Sequence, residues 1–148
     1  MNKAIIGSLL VLAAATPSVA FAGDGGVRIE ARGGIAWNGG SEERLGVAVG
    51  YDHNFKGGFV GITQSIDTNS GFDGSEISTA IRAGASVSTS GKLFGLVGFN
   101  ITNWNNAELL VGAGYEHSLG EKTYAGIQYN RLLKKDVNRI LMSVGYRF

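Results

Sequence analysis

Along most of the chain, large apolar residues alternate with small or polar residues at a period of two. A β-strand places successive side chains on opposite faces at this spacing, whereas a helix requires a period of 3.6. The alternation falls into eight segments, at roughly residues 26–37, 43–53, 58–66, 76–88, 92–101, 106–117, 122–131 and 137–148. The pattern therefore predicts an all-β fold.

Short clusters of turn-forming residues separate the segments, for example Asn38-Gly39-Gly40-Ser41 and Ser88-Thr89-Ser90-Gly91. Links this short join neighbouring strands in an antiparallel meander. A strand that crosses a bilayer at about 45° needs about 9–11 residues, which suits these segments. We therefore expect an eight-stranded antiparallel up-and-down transmembrane β-barrel.

The composition of the two strand faces distinguishes a membrane barrel from a soluble one. One face carries large apolar residues such as Ile29, Val49 and Ile81 and almost no charge. The opposite face is rich in glycine, interspersed with a few arginines and glutamates. Such a face is too glycine-rich for a solvated exterior but suits the narrow lumen of an eight-stranded barrel. The apolar face is therefore predicted to contact lipid.

In two segments the alternation does not determine the strand phase, that is, which face of the strand points into the lumen. In residues 58–66, Val60 and Ile62 share one face while Phe59 lies on the other, and in residues 92–101 Phe94 and Leu96 are bulky for a lumen. A β-bulge would shift the phase. The sequence alone does not locate one.

The first 22 residues have the form of a secretory signal peptide. Lys3 precedes a largely apolar stretch, and Ala20-Phe21-Ala22 has the small-x-small form of a cleavage site. A transmembrane helix is the alternative, but it needs about 20 apolar residues, and Thr16-Pro17-Ser18 ends this stretch early. We expect residues 1–22 to be removed on export and residues 23–148 to form one outer-membrane barrel domain.

Charge and cysteine content narrow the expected partners. Removing residues 1–22 takes away one of the 13 basic residues and none of the 12 acidic ones, so the mature chain has a formal net charge of zero. This balance gives no electrostatic reason to expect nucleic acid as a partner. The chain has no cysteine, which excludes disulfides and thiolate metal sites. No cofactor is expected.

The charged residues of the glycine-rich face are expected to form a network in the lumen, because buried charges must pair or be hydrated. Its predicted members are Arg28, Glu30, Arg32, Arg82, Glu116 and Arg147. With four arginines and two glutamates, loss of Glu30 is expected to cost more stability than loss of Arg28, which we place near a hydrated rim. The network is predicted to plug the barrel.

Aromatic residues fall near the predicted strand ends, as in the girdles of membrane barrels. The girdle residues are Trp37, Tyr51, Trp104, Tyr115 and Tyr146. An even number of strands with a periplasmic C-terminus places Trp37 and Trp104 at the outer boundary and the tyrosines at the inner one.

The chain ends on Tyr146-Arg147-Phe148, an alternating run with a terminal aromatic residue. This ending resembles the assembly signal of bacterial outer-membrane β-barrels. The resemblance implies that Tyr146 and Phe148 are recognised by the outer-membrane insertion machinery.

Gly46-Val47-Ala48-Val49-Gly50-Tyr51-Asp52, followed by Phe59-Val60-Gly61-Ile62, resembles the small outer-membrane β-barrel or opacity-protein family. In architecture the chain is similar to OmpA/OmpX-type barrels. The resemblance implies a structural or surface-interaction protein of the bacterial outer membrane, in contact with lipid and lipopolysaccharide, and a monomer. OmpX-type members bind foreign surfaces with long protruding strands. The longest outer link here is only residues 67–75, which argues against an adhesin.

Two other functions are weighed against this one. A narrow porin-like channel is the first alternative, and only the plug argues against it. A lipid A-modifying outer-membrane enzyme is the second, and it needs serine and histidine to meet at one site. His117 adjoins Ser118, but neighbouring strand residues point to opposite faces, so no catalytic residue is predicted. The sequence identifies no specific ligand, receptor or physiological role.

Overall fold

The computed structural model describes residues 25–72, 74–102 and 106–148. The predicted signal peptide and the girdle residue Trp104 lie outside these ranges. Within them, no helix is long and apolar enough to cross a membrane.

Eight strands form, one for each segment of period-two alternation. They are β1 (Gly25–Trp37), β2 (Ser41–Phe55), β3 (Gly58–Asn69), β4 (Ser75–Ser86), β5 (Gly91–Thr102), β6 (Asn106–Ser118), β7 (Thr123–Leu132) and β8 (Val137–Arg147). Each pairs antiparallel with the next, and β1 pairs with β8. The predicted eight-stranded antiparallel up-and-down barrel is confirmed.

The strand ends differ from the sequence expectation mainly in β2 and β3. The strand β3 continues to Asn69, because Asp67 and Thr68 pair with Glu76 and Ser75 of β4. The predicted link over residues 67–75 therefore shrinks to residues 70–74, where the Phe72 amide donates to the Asn69 carbonyl at 3.0 Å.

The phase that the sequence left open is settled by unbroken pairing. The registers of β3 and β5 with their neighbours run residue for residue through the predicted segments, without a bulge. Phe59 and Phe94 are buried in the lumen, with exposed fractions of 1% and 7%, while Val60 and Ile62 are exposed on the outer surface.

The barrel has a proximal end, where Gly25 and Phe148 lie, and a distal end opposite it. The links over residues 56–57, 87–90 and 119–122 are at the proximal end, and those over residues 38–40, 70–74 and 133–136 are at the distal end. Large apolar side chains such as Val47, Met142 and Val144 are exposed on the outer surface, while charged side chains are buried inside. This is the reverse of a soluble barrel.

Candidate functional site

The lumen is the candidate site, since it gathers ion-paired charged side chains from every strand except β5 and β7. They form three clusters from the proximal to the distal end, which we call the proximal, middle and distal clusters. The proximal cluster contains Arg28, Glu30, Asp52, Arg82, Glu116 and Arg147, the middle cluster Arg32 and Asp67, and the distal cluster Arg44, Glu76 and Arg139.

At the centre of the proximal cluster, Arg82 of β4 bridges two carboxylates. Its guanidinium donates to both oxygens of Asp52, with an Nε to Oδ1 distance of 2.9 Å, and also to Glu116. The guanidinium carbon lies 4.9 Å from the ring centroid of Phe59 and 4.8 Å from that of Phe94. The guanidinium of Arg82 is thus held by carboxylates at its edges and by two phenylalanine rings, a geometry suited to a planar cation.

Arg28 extends the same cluster across the lumen. It donates to Glu30 and to the hydroxyl of Thr63, and its Nε lies 3.2 Å from Asp52 Oδ2. The hydroxyl of Tyr124 donates to Glu30 Oε1 at 2.8 Å. Arg28 and Tyr124 are almost completely buried, with exposed fractions of 1% and 0%.

Arg28 lies nearer the proximal end than Glu30, as expected, but it is the more deeply buried of the two, so the expectation that it is better hydrated is wrong. The charge count that accompanied it is also wrong, because Asp52 belongs to the cluster and brings its three arginines and three carboxylates into balance. Loss of Arg28 would leave Glu30 and Asp52 short of a partner. Removing an arginine and removing a carboxylate should both destabilise the barrel.

Arg147 completes the cluster at the proximal mouth. Its Nη2 donates to Glu116 Oε2 at 2.7 Å, and its guanidinium carbon lies 4.0 Å from the ring centroid of Tyr124. Glu116 therefore accepts from Arg82 on one oxygen and from Arg147 on the other. All six sequence-predicted network residues lie in the lumen, but Arg32 belongs to a separate cluster.

In the middle cluster, Arg32 of β1 meets Asp67 of β3. Both carboxylate oxygens accept from the guanidinium, with an Nε to Oδ1 distance of 2.7 Å, and Ser65 Oγ accepts from Nη2 at 2.5 Å. Such a bidentate pair fixes orientation as well as charge. It joins two strands that β2 separates.

The distal cluster centres on Glu76 of β4. Glu76 accepts from Arg139 of β8, and its second oxygen lies 3.5 Å from Arg44 of β2. Arg44 also donates to Glu42 at 2.6 Å. Nearby, the ammonium of Lys135 in the distal link lies 3.4 Å from the buried Glu108.

Sequence reasoning missed the charged residues Arg44, Asp52, Glu76, Glu108 and Arg139. Each has the parity of lumen-facing neighbours on its own strand, so extending the alternation by a few residues would have identified it. Asp67 could not have been identified in this way, because the sequence did not determine which face of β3 points into the lumen.

Glycines of the inner face act as sockets for large lumen side chains. An ideal Cβ at Gly50 would lie 2.7 Å from Arg28 Nη2, and one at Gly114 would lie 2.9 Å from Phe94 Cε1. These distances are too short for real contacts. The glycine-rich face therefore makes room for arginine and aromatic rings, which explains how bulky Phe94 fits a narrow lumen.

Cavities lie along the lumen between these side chains. A cavity of about 20 Å³ lies between the proximal and middle clusters and is lined by Arg28, Arg32 and polar side chains such as Ser78 and Asn130. It is large enough for about one water molecule. A wider cavity of about 310 Å³ opens at the proximal mouth beside Lys92 and Arg147.

The described aromatic girdle residues lie on the outer surface near the barrel ends. At the distal end, the rings of Trp37 and Tyr129 are 6.5 Å apart, and the hydroxyl of Tyr129 donates to Asn138 at 2.6 Å. At the proximal end, the rings of Tyr146 and Phe148 are 5.0 Å apart in an edge-on arrangement.

The remaining two tyrosines are near the same proximal end. Tyr51 lies against Gly25, and Tyr115 lies against Gly91. Tyr129, which was not among the predicted girdle residues, joins them at the distal end.

The histidines lie apart from the lumen clusters. His53 and His117 are exposed on the outer surface of the proximal half, and His117 Nδ1 is 3.1 Å from the hydroxyl of Tyr115. Among residues 25–72, 74–102 and 106–148, no group of three or more histidine and acidic side chains is placed to hold a metal ion.

The fold is shared with solved structures at low sequence identity. Neisserial surface protein A is 16% identical with a TM-score of 0.66, over 84% of this chain and 96% of that one. The N-terminal β-barrel domain of Pseudomonas aeruginosa OprF is 15% identical with a TM-score of 0.62, over 85% and 98%. Yersinia pestis Ail, the attachment invasion locus protein, is 18% identical with a TM-score of 0.57, over 85% and 99%.

No protein-family model and no curated protein sequence matches the chain. The structural likeness therefore shows the fold alone, which is that of the small eight-stranded outer-membrane barrels.

Proposed function

We propose that this chain is an integral protein of the bacterial outer membrane with a structural or surface-interaction role, whose lumen is closed by its charge clusters. Two features support the location. The outer surface is a belt of exposed apolar residues bounded by aromatic residues, as lipid requires, and the fold is that of outer-membrane barrels.

The main support for a closed lumen is the pairing of its buried charges. Every arginine of the three clusters contacts a carboxylate, and the clusters follow one another along the lumen. An ion entering this lumen would have to break ion pairs that little water can replace. The clusters thus stabilise the barrel, and together they block its lumen.

The same proposal covers the export of the chain, its insertion into the membrane and the surroundings of its distal end. Residues 1–22 direct export, Tyr146 and Phe148 are recognised by the insertion machinery, and the distal end faces outwards among lipopolysaccharide. We assign no enzymatic activity and no cofactor to the chain, because the two histidines face away from the lumen and His117 contacts Tyr115 rather than a serine.

A narrow channel is the second candidate function. It is favoured by the water-sized polar cavity between the proximal and middle clusters and by the wider cavity at the proximal mouth. A conducting state would require the proximal cluster to open, since Arg82 and Glu116 lie in the path.

Epitope insertion tests location and orientation together. A short tag in the distal link over residues 133–136 should be labelled by antibody on intact cells. The same tag in the proximal link over residues 119–122 should be labelled only after the outer membrane is permeabilised. Labelling of both tags on intact cells, or of neither after permeabilisation in well-expressed protein, would contradict the proposal.

A further inference from the structure

Two polar side chains interrupt the apolar outer surface. Gln64 of β3 and Thr79 of β4 are paired in register and lie on the outward face of their strands, two positions from Ile62 and Ile81 respectively. Gln64 is half-buried and Thr79 is exposed. The sequence did not place Gln64 on this face, since the phase of β3 was open.

The surroundings of this pair are apolar in every direction. Along their row, Gln64 and Thr79 are flanked by Val49 of β2 and Phe99 of β5. The row toward the distal end contains Val47, Ile66, Ile77 and Ile101, and the row toward the proximal end contains Tyr51, Ile62, Ile81 and Val97.

The pair also lies well inside the apolar belt. The next polar outward residue on β3 is Thr68, four positions further along the strand. At about 3.4 Å per residue and a tilt of about 40°, this places Gln64 roughly 10 Å below the outer boundary of a belt that is about 25 Å tall.

The amide of Gln64 has no hydrogen-bond partner among residues 25–72, 74–102 and 106–148. A primary amide offers two donors and an acceptor, and leaving them unpaired in an apolar medium is costly. Hydrocarbon chains cannot supply a partner, and water does not reach this depth. Its in-register neighbour Thr79 makes no hydrogen bond to it, so within the described part of the chain the amide remains unpaired on an apolar surface.

We propose that a second copy of this chain covers this surface, with the Gln64 amides of the two copies hydrogen-bonded to each other about a two-fold axis. The proposal rests on the membrane location proposed above. A carboxamide is complementary to itself, because its N–H donor and its carbonyl acceptor match those of an identical group. Such self-complementarity is what an isologous two-fold contact requires. Two copies inserted in the same orientation meet with this axis along the membrane normal.

The shape of the neighbouring surface favours close approach. Ala83 and Ala85 of β4 and Gly95 of β5 are exposed on the same side of the barrel. An ideal Cβ at Gly95 would meet only the Gly112 carbonyl oxygen, at 3.9 Å. Ala83 and Gly95 are two rows, and Ala85 three rows, from Gln64 toward the proximal end. Small residues and a polar group on one surface favour association in a membrane, because packing and hydrogen bonds replace the absent hydrophobic drive. This dimer replaces the monomer expected from the sequence.

The absence of cysteine in the chain makes oxidative cross-linking a clean test. Ile62→Cys places a single thiol beside Gln64, and Ile127→Cys places one on β7, away from the proposed contact. The two sites are matched in exposure, at 48% and 46%. Each variant is refolded into phosphatidylcholine vesicles at high lipid-to-protein ratio, floated with the vesicles on a density gradient and then oxidised.

We expect disulfide-linked dimers from Ile62→Cys and almost none from Ile127→Cys. Adding Gln64→Leu to Ile62→Cys should lower the association constant about tenfold, because it removes both reciprocal hydrogen bonds between the two amides. The same change should leave the free energy of unfolding of dilute protein unchanged or raised, which separates lost association from misfolding.

Equal cross-linking at the two sites, or none at either in protein that floats with vesicles, would overturn the dimer and leave the proposed function intact. So would undiminished dimer formation with Gln64→Leu. Failure of the protein to float with vesicles would overturn the proposed function and the dimer with it.

Discussion

Arg82 of β4 donates hydrogen bonds to both carboxylate oxygens of Asp52 of β2, across the intervening strand β3. The contact ties together two strands that share no backbone hydrogen bonds. Asp52 also lies within 3.2 Å of Arg28, so one carboxylate balances parts of two buried guanidinium groups.

Replacing Asp52 with asparagine should therefore destabilise the barrel strongly. The variant removes the negative charge that Arg28 and Arg82 share, and breaking a buried ion pair costs about 3–5 kcal/mol. Urea unfolding in lipid vesicles measures the cost. Asp136→Asn is the control, because its pair with Arg131 is exposed at the distal end and should contribute less than about 1 kcal/mol. Similar costs for the two variants would contradict a buried network.

The assignment of the barrel faces predicts opposite responses at neighbouring positions. Val49→Arg places a charge in the lipid belt and should cost about 2–4 kcal/mol. Ala48→Ser places a small hydroxyl in the lumen, opposite Glu30 and Ser65 in register, and should be tolerated. Refolding titrations in vesicles compare the two variants, and the reverse ranking would show that the faces are exchanged.

The glycine sockets predict a cost for adding a single methyl group. Gly145 lies opposite Tyr124 in register, and an ideal Cβ there would lie 2.6 Å from Cε1 of the tyrosine ring. Gly145→Ala must displace the ring and weaken its bond to Glu30, at a cost of about 1–3 kcal/mol as for overpacked cores.

Gly95→Ala is the matched control for the socket. Position 95 faces open space on the outer surface, and alanine has a smaller entropic cost of folding than glycine. This variant should keep or slightly raise the free energy of unfolding measured in urea. Equal destabilisation by the two alanines would mean that backbone freedom, not socket space, requires glycine.

The architecture was predictable because period-two alternation is a local signal repeated eight times. Alternation on β1 alone was enough to place Arg28, Glu30 and Arg32 on one face. Strand number, antiparallel order and the inverted faces followed from the same pattern.

The pairing inside the lumen was not predictable in this way. Contacts such as Arg82 with Asp52 depend on side-chain reach across strands that are not neighbours, and no local pattern encodes this. The phase of β3 was hidden because bulky Phe59 faces the lumen, where Arg82 and Gly84 make a place for its ring. Asp67 and Gln64 on the same strand were missed for this reason.

Deleting Phe148 should impair assembly in cells more than stability in vitro. The ring of Phe148 is 68% exposed, and the backbone contact at stake is one hydrogen bond from its amide to Val27, 2.9 Å long. We expect little protein in the outer-membrane fraction of cells and near-normal refolding in vesicles. Phe55→Ala, which removes an exposed ring at the same end, should leave the outer-membrane level unchanged. A normal level of the truncated protein would contradict a role in recognition.

Single-channel recording in planar bilayers tests most directly whether the charge clusters close the lumen. The refolded protein should show no steady ion conductance, because Arg82, Asp52 and Glu116 occupy the path as paired charges. A variant with Asp52→Ala and Arg82→Ala removes the central pair of the proximal cluster only, so the middle and distal clusters should keep it non-conducting as well. Steady conductance from the unmodified protein would show that the clusters line a hydrated channel and do not plug it.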